Sequence, residues 1–223
     1  MFKDFLQLLF PKACLGCENI LVDTEQFICI ACEHSLPILD EKDDSLAKKL
    51  VGRVHLLNSY GFLAFNKKGI AQKLLHELKY NANPDLGSYL GKSFANHLHS
   101  RNGSLVADFL IPIPLYPKRQ KERGYNQSEM IARGISQVYE IPVETNVLVK
   151  AKETASQTRK GRLARLENIQ EGFQLANAEK ITNKRLILVD DVATTGATLE
   201  ACCNCLEKAK PQSISIMALA VKK

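Results

Sequence analysis

The 223-residue sequence has no tryptophan, and aromatic residues make up only 7% of it. Within its basic stretches the aromatics are chiefly Tyr116 and Tyr125. That scarcity argues against recognition of single-stranded nucleic acid by extensive base stacking; any such contact would be mostly electrostatic and weakly sequence-selective. No apolar run approaches the ~18 residues of a membrane span. The opening MFKDFLQLLFPKAC has a short apolar patch broken by Asp4 and Gln7, a poor signal peptide. It reads as a short helix packed on the protein, and the expected location is cytoplasmic, where thiols stay reduced. His55, His76, His97 and His99 are scattered, none in a catalytic spacing; His76, in LLHELKY, is the one to test.

What is present begins with charge. Lysine and arginine total 30 against 24 acids, a formal +6, which suits a polyanionic partner or a polyphosphate substrate. Hydrophobic residues make up 45%, enough for one ordinary α/β domain and a small attachment. The attachment is marked by cysteines. Cys14 and Cys17 form CLGC, and Cys29 and Cys32 form CIAC. Two such knuckles supply four thiolates, which close the tetrahedral sphere of structural zinc and leave no open position for catalysis. A redox dithiol pair or a disulfide framework is the competing reading, and His34 is a spare ligand. The intervening ENILVDTEQFI suits a hairpin or ribbon that metal must stabilise. The charged ILDEKDDSLAKK, within 38–50, then reads as a linker, dividing a module over 1–45 from a domain over 46–223.

Along that domain strands and helices alternate. Strands are expected at 58–65, 108–113, 144–149, 186–189 and 213–221, and helices at 68–80, 86–98, 127–139 and 198–209. This pattern is a doubly wound parallel sheet, with ligands outside the carboxyl ends of its strands. Cys202, Cys203 and Cys205 fall on the last helix, where small thiols fill a helix-to-sheet interface.

The stretch LILVDDVATTGATL carries the chemistry. Leu186 to Val189 form a buried strand that delivers Asp190 and Asp191 to its carboxyl end. From 192 to 198 nearly every residue is small or hydroxylated, so backbone can approach a ligand and the following helix offers unpaired N–H groups to a phosphate. Two carboxylates beside a phosphate would repel it unless they accept sugar hydroxyls or hold a hydrated Mg²⁺. A phosphorylated ribose bearing a diphosphate meets both demands. VDDVATTGAT resembles the signature of the type I phosphoribosyltransferases. The resemblance implies that Asp190 and Asp191 contact the ribose hydroxyls of phosphoribosyl pyrophosphate. It implies that Ala193, Thr194, Thr195, Gly196, Ala197 and Thr198 cradle the 5′-phosphate.

PLYPKRQKERGYNQ also leaves the end of a strand. By the same resemblance Leu115 and Tyr116 occupy the pyrophosphate loop, with Lys118, Arg119 and Arg123 supplying charge; a solvated basic loop is the plainer reading. Tyr125, Asn126 and Gln127 suit a helix cap. The long polar stretch from 150 to 173 reads as a lid or a surface loop. Gln157 and Thr158 stand at its tip beside Arg159 and Lys160, and Arg162 and Arg165 follow. LLHELKY, IPIPLYPKRQKERGYNQ and QTRKGRLARLENIQEGF, following a four-cysteine module, resemble the ComF family over essentially the whole chain. Lys160 departs from that pattern, standing where an apolar residue is more usual. The family resemblance implies a role in natural competence, handling incoming single-stranded DNA with other competence proteins. It also raises the prospect of Lys79 and Tyr80 facing the site. Two functions remain open: an Mg²⁺-dependent phosphoribosyltransferase of unknown acceptor, and a non-catalytic phosphoribosyl pyrophosphate sensor that binds single-stranded DNA.

Overall fold

The computed structural model describes residues 11–40, 42–101, 103–150 and 172–223. Ten segments frame the main domain: β1 (Ser59–Phe65), α3 (Ile70–Tyr80), α4 (Pro84–Ser100), β2 (Phe109–Pro112), α5 (Pro117–Arg123), α6 (Gln127–Tyr139), β3 (Leu148–Lys150), β4 (Phe173–Leu175), β5 (Arg185–Ala193) and α7 (Ala197–Glu207). They are preceded by α1 (Ile30–His34) and α2 (Ser45–Lys48) and closed by β6 (Ser213–Lys222). The main sheet runs β1-β6-β5-β2, parallel throughout. Beyond β2, Val143 makes one further parallel bridge to Leu110.

Side-chain alternation along β5 builds a three-layer core. Ile187 and Val189 face a cluster that includes Leu74 and Leu78 of α3, Leu90 and Phe94 of α4 and Ile131 of α6. Leu186 and Leu188 face the opposite cluster, with Leu199, Cys202, Cys203 and Leu206 of α7. The helices form where apolar residues recur at helical spacing: Ala71, Leu74, Leu75 and Leu78 are the buried residues of α3. Asparagine starts α4 and α6. Asn83 accepts the Leu86 N–H at 3.3 Å ahead of Pro84, and Asn126 accepts the Ser128 N–H at 3.1 Å.

The α4–α6 crossing depends on glycine. A Cβ at Gly91 would stand 2.1 Å from the Ile131 carbonyl oxygen, and one at Gly134 would stand 2.1 Å from that of Ser88. Backbone cannot yield that far without separating the helices. Gly134→Ala is therefore expected to destabilise the protein by ~3 kcal/mol in urea unfolding, far more than an exposed helical Gly→Ala change, which is usually favourable.

Four expectations are corrected. The acid-bearing strand does not stop at Val189; β5 continues to Ala193, paired there only with β6. The expected strand at 144–149 leaves the sheet after Val143: Glu144 accepts the Asn146 N–H at 2.8 Å and turns the chain, and β3 pairs antiparallel with β4. PLYPKRQKER holds a helix, α5, started by Pro117 and ended by Gly124 at φ 78°. Residues 38–50 are no free linker: Leu39 pairs its N–H with the Phe62 carbonyl, and Leu39, Leu46 and Leu50 are buried.

The cysteine module packs into the same core. Leu21, Ile28 and Leu36 join the cluster of α3 and α4, Phe27 meets Tyr89 at 5.3 Å, and Lys73 donates to the Gly16 carbonyl at 2.6 Å. Instead of a hairpin ladder between the knuckles, Ile20 bridges back to Ala13 ahead of the first knuckle, and residues 11–14 are not helical. The rest of the expected opening helix lies outside the described residues, as does the lid tip with Gln157 and Thr158. Among the described residues no helix is long and apolar enough to cross a membrane.

Candidate functional site

Crossovers leave the sheet centre in opposite directions: β5 passes through α7 to β6, whereas β2 passes through α6 to Val143 on its far side. Ligands in such sheets bind at the crevice where direction reverses, here between the carboxyl ends of β2 and β5. Pairing between the two ends at Pro112 and Val189, where the Ile113 N–H donates to the Val189 carbonyl at 3.0 Å. Asp190 and Asp191 therefore stand beyond the end of β2 while still held by β6.

The two acids differ. Asp190 is 8% exposed, and its carboxylate accepts the Asp191 N–H at 2.9 Å. Burial pushes its carboxyl up to about 7, and the neighbouring Asp191 charge adds to this; that N–H, Lys79 and Lys150 pull the other way. Asp191 is paired with Lys79 at 2.9 Å. Lys150, at the end of β3, lies over the rings of Tyr116 at 4.3 Å and Phe173 at 4.5 Å. Lys150 thus links the loop after β2 to the start of β4, and its charge favours the ionised form of Asp190.

Past the acids, Ala193 ends β5, Thr194 and Thr195 are exposed, and Gly196 turns the chain at φ 80° into α7. Ala197 and Thr198 are the first residues of α7, whose N-cap is Gly196 and whose Ala197 N–H donates to the Thr195 hydroxyl at 3.4 Å. Its first-turn N–H groups and dipole suit an anion. At Gly196 a Cβ would be strained by the backbone angle and would press to 3.2 Å on Leu50 and Lys49. Gly196→Ala is expected to cost ~2 kcal/mol in thermal unfolding and to weaken phosphate binding with it.

Other candidate residues divide. Leu115 and Tyr116 are half-buried between β2 and α5. Lys118 and Arg119 are exposed on α5. Arg123 donates to Gln127 at 2.8 Å and lies 5.8 Å over the Tyr80 ring. Asn126 caps α6 and donates to the Ile113 carbonyl at 3.0 Å, and Tyr125 donates to the Leu78 carbonyl, so both serve architecture. Lys79 and Tyr80 face the site. They form a shared wall between a cleft of ≈ 360 Å³ with Arg119 and Arg123 and one of ≈ 300 Å³ with His76, Asp191, Val192 and Thr194. A larger cleft, ≈ 790 Å³, lies between the cysteine knuckles and α4 and contains neither acid.

At the amino end, the Sγ atoms of Cys14, Cys17, Cys29 and Cys32 all lie within 4.8 Å of one another. Cys17 and Cys29 are 3.7 Å apart, close to the roughly 3.8 Å edge of a tetrahedron with ~2.3 Å metal–sulfur bonds. Burial opposes ionisation of Cys14, but N–H groups of Cys17, Cys29 and Gly16 outweigh it and bring the thiol down to about 6. Burial pushes Cys32 up, and its three neighbours add to that. The set can hold a metal ion, whose charge would release the remaining protons.

A model of the phosphoribosyl transferase domain matches residues 126–223. Competence protein ComFC of Bacillus subtilis (strain 168) is 26% identical over 220 residues, 96% of this chain and 87% of its own length. The chain resembles ComFC along nearly its whole length and has a phosphoribosyltransferase-type fold. Among other relatives, Competence protein F of Haemophilus influenzae is 36% identical over 116 residues, covering 52% of this chain and 51% of that protein. DNA utilization protein YhgH of Escherichia coli O157:H7 is 28% identical over 129 residues, 56% of each. The matched part thus spans about half the length of these two relatives.

Two residues at the candidate site were not singled out in the sequence. Lys150 was visible only as part of a basic stretch, and Arg53, described below, lies between the expected linker and the first expected strand. Neither position carries a local signal, because each reaches the site through the tertiary fold.

Proposed function

We propose that the protein binds phosphoribosyl pyrophosphate at the crevice between β2 and β5 and transfers its phosphoribosyl group to a nitrogen nucleophile. The observation that carries this reading is the unequal acid pair beside a glycine-led helix start at the switch point. Asp190 and Asp191 accept the ribose hydroxyls, and the 193–198 loop holds the 5′-phosphate. Leu115, Tyr116, Lys118, Arg119 and Arg123 receive pyrophosphate, with Gln157 and Thr158 closing over it. The C1–O bond to pyrophosphate breaks as C1–N forms, and the acceptor nitrogen gives up its proton. The protein's part is positioning and stabilisation of the departing charge. Mg²⁺, held by the two carboxylates, would neutralise diphosphate oxygens. Zinc in the four-cysteine cluster is structural. The names of the relatives support a place in DNA uptake, with single-stranded DNA and competence proteins as partners.

The test is calorimetric titration of phosphoribosyl pyrophosphate with and without Mg²⁺, followed by a pyrophosphate-release screen of nitrogenous acceptors. Replacing both acids by alanine is expected to weaken binding by at least ~100-fold, because two charge-assisted contacts go. No heat from the wild-type protein under either condition would sink the reading. The exposed lysines and arginine of α5 favour a second outcome, a sensor: phosphoribosyl pyrophosphate bound without turnover, and single-stranded DNA retained in a salt-dependent way.

A further inference from the structure

Arg53 lies in the segment between α2 and β1, 142 residues from the phosphate loop in sequence, and touches that loop directly. Its Nη1 donates to the Thr195 carbonyl at 3.2 Å and to the Lys49 carbonyl at 2.9 Å, and its Nη2 pairs with the Glu200 carboxylate. Leu50 and Lys49 pack against Gly196. The segment therefore supports the loop where the chain turns into α7.

Glu200 makes this contact informative. It sits in the first turn of α7, half-buried. An acid there suits the helix dipole but opposes a second anion entering the same turn. A phosphate and an unpaired Glu200 would repel each other at short range across a poorly solvated helix end. Arg53 removes that conflict, and its planar fork also fixes the Thr195 carbonyl away from the anion's N–H donors, a geometry that a lysine point charge reproduces only in part.

We propose that Arg53 is a positioning residue of the phosphate loop, admitting a phosphate to the start of α7 by neutralising Glu200 and bracing Thr195. The proposal rests on the site assigned above, and it makes the segment before β1 part of that site. It is tested by titrating phosphoribosyl pyrophosphate into the wild-type protein, Arg53→Ala, Arg53→Lys and Arg53→Ala with Glu200→Gln, each checked for folding by circular dichroism. Loss of one charged, hydrogen-bonded contact predicts an affinity fall on the order of 30-fold for Arg53→Ala and a smaller fall for Arg53→Lys. Adding Glu200→Gln should recover most of it, which a purely structural role would not do. Unchanged binding in Arg53→Ala, or no recovery on adding Glu200→Gln, overturns the proposal. Should Arg53→Ala fail to fold, Arg53→Lys and Glu200→Gln decide: a loss in the first with none in the second supports it, and any other pattern overturns it. A parallel titration with inorganic phosphate, followed at the amides of residues 195–198 by NMR, separates the two assignments. Amide shifts that vanish in Arg53→Ala support Arg53 even if phosphoribosyl pyrophosphate never binds. Shifts that persist in Arg53→Ala, or that are absent from the wild type, overturn it.

Discussion

Replacing Cys14 by serine is expected to lower the midpoint of thermal unfolding of the whole chain by roughly 10 °C or more and to abolish stoichiometric zinc. Cys14 is buried and accepts N–H groups from Gly16 at 3.4 Å and Cys29 at 3.2 Å, so its sulfur organises both knuckles. A hydroxyl there is a poor metal ligand at neutral pH, and the other three thiols, crowded together, would revert to protonated forms. The stretch between the knuckles has no strand ladder of its own to fall back on. The effect should spread, because Leu21, Ile28 and Leu36 are part of the core that covers α3 and α4. A separately folded attachment would instead melt alone. Calorimetry and metal analysis decide this: wild-type protein with close to one zinc per chain, and a single transition that falls in Cys14→Ser, is the expected pair of results. Less than about half an equivalent of zinc in the wild type would sink the assignment.

Sequence reading anticipated local structure around the candidate site where the local chemistry is self-sufficient. Apolar residues 186–189, paired acids and a run of small residues describe a buried strand and an open helix start without help from the rest of the chain, and Gly196 does adopt the positive φ that such a turn requires. The cysteines were equally legible, since their spacing alone brings the sulfurs together. It failed where periodicity is silent. α5 buries nothing, so no apolar face reveals it, although Pro117 at its start and Gly124 at its end were usable signals. Acids at 40, 41, 43 and 44 concealed the buried leucines at 39, 46 and 50, and those leucines bring Lys49 and Arg53 against the phosphate loop. Contacts of that range have no local sequence signature.

Asp190→Asn is expected to raise stability most at pH 8, less at pH 5, and to leave it nearly unchanged only below ~pH 4. The sign follows from linkage. An unfolded aspartic acid titrates near ~3.9, whereas burial raises this one to about 7. The folded state therefore binds more protons between those values. The stabilising contribution of the protonated carboxyl is fully present below ~pH 4 and is lost as pH rises through about 7. A shift of that size is worth up to ~4 kcal/mol by pH 8, an upper figure because Asp191, Lys79 and Lys150 redistribute charge around it. Asparagine keeps an oxygen for the Asp191 N–H and carries no charge to bury, so the gain should approach 10 °C in melting temperature at pH 8. The same variant should lose Mg²⁺-dependent binding of phosphoribosyl pyrophosphate, since an amide neither holds the cation nor balances Lys79 and Lys150. In the wild type that binding should strengthen as pH rises from 6 to 8, because deprotonation of Asp190 must precede metal capture. A site kept at the expense of stability is what ligand selection, as opposed to folding, would preserve. Melting curves of the two proteins that run parallel from pH 5 to 8 would show that Asp190 is ionised throughout and would remove the pH dependence from the proposed chemistry.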